Sequence, residues 1–319
     1  MTFMQKVKIW IEASRAMYTI TVLLPCVVAA IIAWWAGYEF DWLLMAMILV
    51  GMMFANIGTN FTNDYFDYKS GVDEIDEGRV YKKGAEVLYD NPLGESGSVD
   101  GFAMYFFSPA TVLASAIISF LITFAIGMYL VFFVNFWILP IGIFGILLGY
   151  FYTAPPVQFG YRGMGDLICF IGSGPLPMIG TYLLFTGTVS GTLILASVVV
   201  GLLVTAILYI GNVPDAEADA KVGKKTVSVM LGRKAVTYLA PLYYGVIYLL
   251  IILGVILQMF PVWTLLALLT APIVFQILKI TRKHYENIPE FAPSILMTVK
   301  TFALSTILFA VGFVLGKII

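Results

Sequence analysis

Residues 56–73 read NIGTNFTNDYFDYKSGVD and close a long apolar run that begins near Trp42. Residues 211–226 read GNVPDAEADAKVGKKT and close another. On a helix, positions i, i+4 and i+7 share a face, as do i, i+3 and i+7. Asn60, Asp64 and Asp67 have the first spacing; Asn212, Asp215 and Asp219 have the second. Each run therefore ends in a polar stripe of one amide and two carboxylates. Asn63 stands just off the first stripe, and Asp73 lies beyond it. Carboxylates at the end of a bilayer-length segment are costly and usually functional.

The surrounding chain makes that setting a membrane. Of 319 residues, 61% are hydrophobic and only 12% charged, far too apolar for a soluble domain of this size. Apolar runs of about 20 residues suit helices that cross a bilayer. Hydropathy predicts nine of them, approximately Ala16–Trp35, Trp42–Asn63, Ala110–Phe133, Trp137–Tyr152, Leu167–Phe185, Gly191–Ile210, Tyr238–Phe260, Val262–Ile280 and Leu296–Leu315. The charged residues 1–15 read as an interfacial lead-in rather than a cleavable signal. A net charge of −1 gives no bulk field for nucleic acid. Cys26 and Cys169 sit inside apolar runs and read as small packing residues, and His284 reads as a solvated loop residue.

Alternating connections carry the charge. Seventeen of the 18 basic residues fall on the side of the N-terminus, with only Lys317 opposite, which makes that side cytoplasmic. The expectation is an all-α, multi-pass protein of the cell membrane, one domain over residues 1–319, with cytoplasmic cap loops at about 64–105, 153–166 and 212–236. Both acidic stripes open on that cytoplasmic side. Their four-span offset suggests two similar halves. Residues 68–100 form the longest polar segment and read as a cap over the site or as a linker.

Charge balance points to chemistry. Like charges about 4 Å apart at an effective dielectric near 20 repel by about 4 kcal/mol per pair. Four converging carboxylates therefore call for cations. Mg2+ takes oxygen ligands and often bridges a few carboxylates to substrate phosphates. Arg162, Lys221, Lys224 and Lys225 are the nearby bases that could join it. A third element, YFYTAPPVQFGYRGMGDL at 150–167, follows the fourth run. There Pro155 and Pro156 force an extended turn, Tyr152 is placed to line a cavity, and Arg162 and Asp166 frame the next span.

These three motifs, in this order and on one side of the membrane, resemble the UbiA superfamily of intramembrane prenyltransferases over essentially the whole chain. NDYFDYKSGVD, DAEADAKVGKKT and the YTAPPVQFGYRGMGD turn are most similar to its menaquinone branch, the 1,4-dihydroxy-2-naphthoate polyprenyltransferases. The resemblance implies nine helices in a ring around a central cavity and two Mg2+ ions holding the diphosphate of a polyprenyl donor. Asn60, Asp64, Asp67, Asp215 and Asp219 would be the metal ligands. Tyr152 and Arg162 would assist ionisation, and Asn63, Lys69, Asn212, Lys221, Lys225 and Arg15 would bind substrate. The chain departs from the family in having Ala16 after that arginine, and in the long insert from Arg79 to Asp100. Other prenyl acceptors of the superfamily stay open: geranylgeranylglyceryl phosphate, homogentisate, 4-hydroxybenzoate and a chlorophyllide. A divalent cation transporter is the alternative from another class, but it would favour acids near mid-span on broken helices. A phosphotransferase for nucleotide-activated alcohols would carry its acids in a single motif that is not found here.

Overall fold

The computed structural model describes residues 10, 11, 13–70 and 107–319. Residues 1–9 and 12 of the expected lead-in, Asp73 and the Arg79–Asp100 segment lie outside them. Among the described residues there are helices and turns and no strand. A 3-10 turn, Ala16–Thr19, leads into α1 (Ile20–Trp35). There follow α2 (Trp42–Ser70), α3 (Pro109–Phe133), α4 (Ile138–Tyr150), α5 (Gly165–Ser173), α6 (Pro175–Thr186) and α7 (Gly191–Lys221). The short α8 (Val227–Leu231) precedes α9 (Arg233–Ile256), a 3-10 segment Val262–Thr270, α10 (Ala271–His284), the short α11 (Ile288–Phe291) and α12 (Pro293–Ile318). Seven of the described helical segments are long and apolar enough to cross a membrane; α1 and α4 are apolar but shorter.

Local chemistry sets the ends. The hydroxyls of Ser108, Ser190 and Thr226 accept hydrogen bonds from the backbone N–H groups of Thr111, Leu193 and Val229, capping α3, α7 and α8. Gly187 closes α6 in the left-handed region. Hydropathy ends the second span at Asn63 and the sixth at Ile210, but the helices run on to Ser70 and Lys221. Hydropathy follows the bilayer, whereas the helix follows backbone hydrogen bonding, which continues into water. The expected cap regions from 64 and from 212 thus begin as helix, and the acids ride on rigid extensions. The fifth span is two helices, broken at Gly174 before Pro175.

Neighbours follow chain order from α1 through α4 to α6, then α5 to α7, α9, α10 and α12, and α12 packs back onto α1. The membrane part of α7 also touches α1, α6 and α12, so it lies inside this arrangement. Phe260, Phe302, Phe309 and Phe313 are buried and fill the space on its α12 side. The space on its α2–α4 side is hollow. Exposed Trp42, Phe132, Phe133, Phe136 and Trp137 mark the end away from the acids, as aromatic belts do at a membrane surface.

Backbones meet closely where α5 and α6 cross α7. A Cβ at Gly174 would overlap the backbone of Gly201. Gly174→Ala is therefore expected to cost about 1–3 kcal/mol, read as a lower thermal midpoint in detergent. Gly245→Ala, where a Cβ meets nothing within 4 Å, should leave that midpoint unchanged.

Candidate active site

The first stripe faces the hollow. Asp64 is 3% exposed, and the Arg15 Nη2 donates to its Oδ1 at 2.6 Å. Arg15 comes from the turn before α1, with φ 54° in the left-handed region. Such a conformation in a non-glycine residue costs on the order of 1–3 kcal/mol and persists where the surroundings enforce it. Asn60 supplies part of that enforcement: its amide donates to the Ser14 carbonyl and to Asn56 Oδ1, both at 3.1 Å. Asn60 thus turns away from the cavity and holds the segment that delivers Arg15. Asn63, Asp64 and Asp67 line the cavity, joined by Asn56 and Thr59 one to two turns earlier.

The second stripe divides likewise. Asn212 and Asp215 line the cavity, whereas Asp219 is 1% exposed and paired with Lys224 at 3.3 Å. Burial alone would lower the Lys224 ammonium, but the carboxylates of Asp67, Asp219 and Asp215 outweigh it and hold the group above the ordinary lysine range. Lys224 reaches the cavity; Lys221 and Lys225 are exposed. Lys69 is exposed too, its ammonium 5.0 Å from the Tyr65 ring centroid. Arg233 braces this stretch of α7: its guanidinium donates to the carbonyls of Val213 and Pro214 and to Glu217, at 2.9, 2.8 and 2.7 Å.

The third motif ties the two stripes together. Instead of running extended through Pro155 and Pro156, residues 151–164 fold compactly, the N–H groups of Phe159 and Gly160 donating to the carbonyls of Phe151 and Tyr152. Thr153 donates to Asn63 Oδ1 at 2.9 Å. Tyr161 donates to Asp67 Oδ1 at 2.6 Å, accepts the Lys225 N–H at its carbonyl at 3.0 Å, and lies 5.5 Å beneath Lys224. One residue therefore touches the first stripe and the turn that follows the second. Tyr152 and Asp166 line the cavity; Arg162 is exposed and donates to the Pro156 carbonyl at 2.7 Å. A Cβ at Gly160 would lie 3.0 Å from the Tyr152 ring, so glycine there seats that ring.

The cavity encloses about 470 Å³. One end carries Arg15, Asp64, Asp67, Asp215 and Lys224; the body is lined by apolar side chains of α2, α3, α4 and α6, such as Ile48, Leu130, Ile141 and Leu184. That shape suits an anionic head with a hydrocarbon tail. The head end offers hard oxygen donors beside two cations, a set that fits Mg2+. The acids stand as separate stripes, and among the described residues no three His, Cys, Asp or Glu form a ready-made metal cluster. Cys169 also lines the cavity, Cys26 is buried elsewhere, and His284 pairs with Glu290.

Residues 107–299 match the UbiA prenyltransferase family. The chain belongs to that family. It is accordingly a prenyltransferase and a multi-pass membrane protein. It is 28% identical to a Bacillus subtilis protein named 1,4-dihydroxy-2-naphthoate octaprenyltransferase, over 75% of this chain and 71% of that one. It is also 28% identical to the Escherichia coli protein of the same name, over 97% and 96%. In fold it is similar to a UbiA homolog from Aeropyrum pernix K1, at a TM-score of 0.64, 16% identity and coverage of 94% and 98%. A UbiA homolog from Archaeoglobus fulgidus bound to GPP and Mg2+ gives a TM-score of 0.58 at 13% identity, covering 94% and 99%.

Tyr161 and Lys224 generate the prediction here. A hydrogen bond to a charged group contributes about 1.5–3 kcal/mol to stability, so Tyr161→Phe should lower the thermal midpoint in detergent and, by releasing Asp67, lower kcat/KM for prenyl transfer roughly tenfold. Lys224→Met should raise the donor KM by a similar factor. Lys225→Met should be silent, because Lys225 reaches Tyr161 through its backbone N–H; steady-state kinetics on the three variants check all of this.

Proposed function

We propose that this UbiA-family enzyme transfers an isoprenyl chain from a polyprenyl diphosphate to an aromatic ring, with 1,4-dihydroxy-2-naphthoate the favoured acceptor, as in menaquinone biosynthesis. The observation that carries the reading is the cavity itself, with two acidic stripes and two cations at one end and an apolar body. It is supported by the names of the B. subtilis and E. coli relatives, and by the fold shared with a protein bound to GPP and Mg2+. The same reading takes α1 and α4 as spanning helices, making nine in all, with the N-terminus and the acidic end cytoplasmic and the protein in the cell membrane. The alternatives for the acceptor are geranylgeranylglyceryl phosphate, homogentisate and 4-hydroxybenzoate.

Asp64, Asp67, Asp215 and Asp219 are the residues that would hold Mg2+, which would there neutralise the donor's diphosphate and the charge that develops on it as it leaves. Arg15 and Lys224 add fixed positive charge at the same end. The allylic C–O bond breaks with its electron pair passing to the diphosphate. The apolar body excludes water from the resulting cation, and the Tyr152 ring stands at the junction of head and tail regions. The acceptor ring forms the new C–C bond and releases a proton or, at a carboxylated carbon, carbon dioxide. Arg162, exposed and held on Pro156, acts by stabilising the turn that carries Tyr152 and Tyr161.

Purified protein assayed with a polyprenyl diphosphate, Mg2+ and a panel of acceptors tests the reading. The expected result is Mg2+-dependent product with dihydroxynaphthoate, abolished in Asp64→Ala and Asp215→Ala. Full activity in either variant would remove the acids from the site, and metal flux into liposomes with no product from any acceptor would overturn the reading.

A further inference from the structure

Basic side chains at the acidic end of the molecule fall into two groups. Arg15, Lys224 and Arg233 each face a carboxylate. Lys234, Lys279, Arg282 and Lys283 have no carboxylate at ion-pairing distance among the described residues, and all four are exposed. They gather where the start of α9 meets the end of α10, two helices that pack against each other. None of the four lines the cavity.

Tyr238 is the point on which two of these charges converge. The Arg282 guanidinium carbon lies 5.2 Å from its ring centroid, and Lys234 Nζ lies 5.9 Å from it. A cation over an aromatic face is attracted to it, though weakly at an exposed site. That attraction orients each cation and neutralises neither. Lys234 also stands in the first turn of α9, where the helix dipole is itself positive and no acid is present. The seam is thus a concentration of positive charge, held on one ring and short of an anion.

Depth says which kind of anion fits. Arg233–Ile256 and Val262–His284 are both long and apolar enough to cross a membrane. Lys234 is in the first turn of the one and Arg282 in the last turn of the other, so both cations reach the membrane surface on the same side. Lys234, Tyr238 and Leu242 share a helix face, as do Arg282, Lys279 and Phe275. Leu242 is 67% exposed and Phe275 70%, and a Cβ at Gly245 would meet nothing within 4 Å. At 1.5 Å rise per residue, Leu242 and Phe275 lie about 10–12 Å below the cations, among the lipid chains. A surface that runs from cations through a tyrosine to open aliphatic side chains matches a phospholipid from headgroup to tails. A soluble anion would match its upper edge alone.

We propose that the α9–α10 seam binds an anionic phospholipid, its phosphate between Lys234 and Arg282 beside Tyr238 and its acyl chains against Leu242 and Phe275. Lys279 and Lys283 add the charge that selects an anionic over a zwitterionic headgroup. The site is separate from the cavity and independent of the reaction carried out there. A lipid held in this way bridges two helices, so binding it stabilises the folded protein.

Native mass spectrometry of the full chain, from micelles holding equal amounts of phosphatidylglycerol and phosphatidylcholine, tests the site. The parent protein is compared with the double variant Lys234→Gln, Arg282→Gln and with Lys317→Gln at the opposite end. The parent and Lys317→Gln should retain phosphatidylglycerol over phosphatidylcholine by at least about tenfold, and the double variant by less than about twofold. The parent's thermal midpoint should rise with phosphatidylglycerol and not with phosphatidylcholine or inorganic phosphate. Equal retention by the double variant, no preference in the parent, or the same rise with inorganic phosphate overturns the proposal. Exposed cation–π contacts are weak, so the double variant should fold. If it does not, photo-crosslinking decides the matter with p-benzoylphenylalanine at position 238 in the otherwise unchanged chain. In vesicles of the two lipids in equal amounts, adducts mainly to phosphatidylglycerol support the site, and adducts to both lipids alike refute it.

Discussion

Asp64 and Asp219 are carboxylates with almost no access to solvent, and the acidic end of the molecule is arranged around keeping them charged. A buried carboxylate is tolerated only if it is paired and hydrogen-bonded. Each receives its cation from a connecting segment: Arg15 from the turn before α1, Lys224 from the turn after α7. The strained backbone at Arg15, the Asn60 bond to Ser14 and the brace of Arg233 on α7 all serve that pairing. Asp67 and Asp215, the less buried acids of the two stripes, face the space where a ligand's charge would sit.

This division of labour explains which parts of the site could be read from the chain. Helical periodicity groups Asn60 with Asp64 and Asp67 as a stripe, but a stripe about 100° wide has an edge as well as a centre. Asn60 lies at the edge that meets the N-terminal segment, which no spacing rule reveals. The three lysines at 221, 224 and 225 were equivalent as charges. They separate only because α7 ends at Lys221 and Gly223 then turns the chain through φ 75°, aiming Lys224 back at Asp219. Tyr161 stands in the same turn as Tyr152 and Arg162, yet its reach to Asp67 and to the turn after α7 depends on the compact folding of residues 151–164.

The fold was legible for a simpler reason. Apolar runs of bilayer length leave few options, since only structures that satisfy every backbone group internally can cross lipid. What hydropathy misplaced were the ends. Span two and span six extend seven and eleven residues beyond the apolar runs that announce them, to Ser70 and Lys221. Helical hydrogen bonding does not stop where hydrophobicity does, and the acids gain a rigid mount from that mismatch.

The two halves of the chain show what the hollow requires. Both have an acidic stripe at the end of a long helix, but the apolar body of the cavity is lined mainly by the first. In the second, Phe260, Phe302, Phe309 and Phe313 pack together against α7. The first half sets glycines at comparable depths: Gly51, Gly127, Gly142 and Gly145 all line the cavity. Side chains of ordinary size at those positions would remove the volume, since packed interiors leave few voids larger than a water molecule. A dry void is unfavourable to maintain by itself, because its walls forgo dispersion contacts. A hydrocarbon chain seated there would restore those contacts, so the glycines that cost dispersion in the empty protein favour binding of an apolar tail.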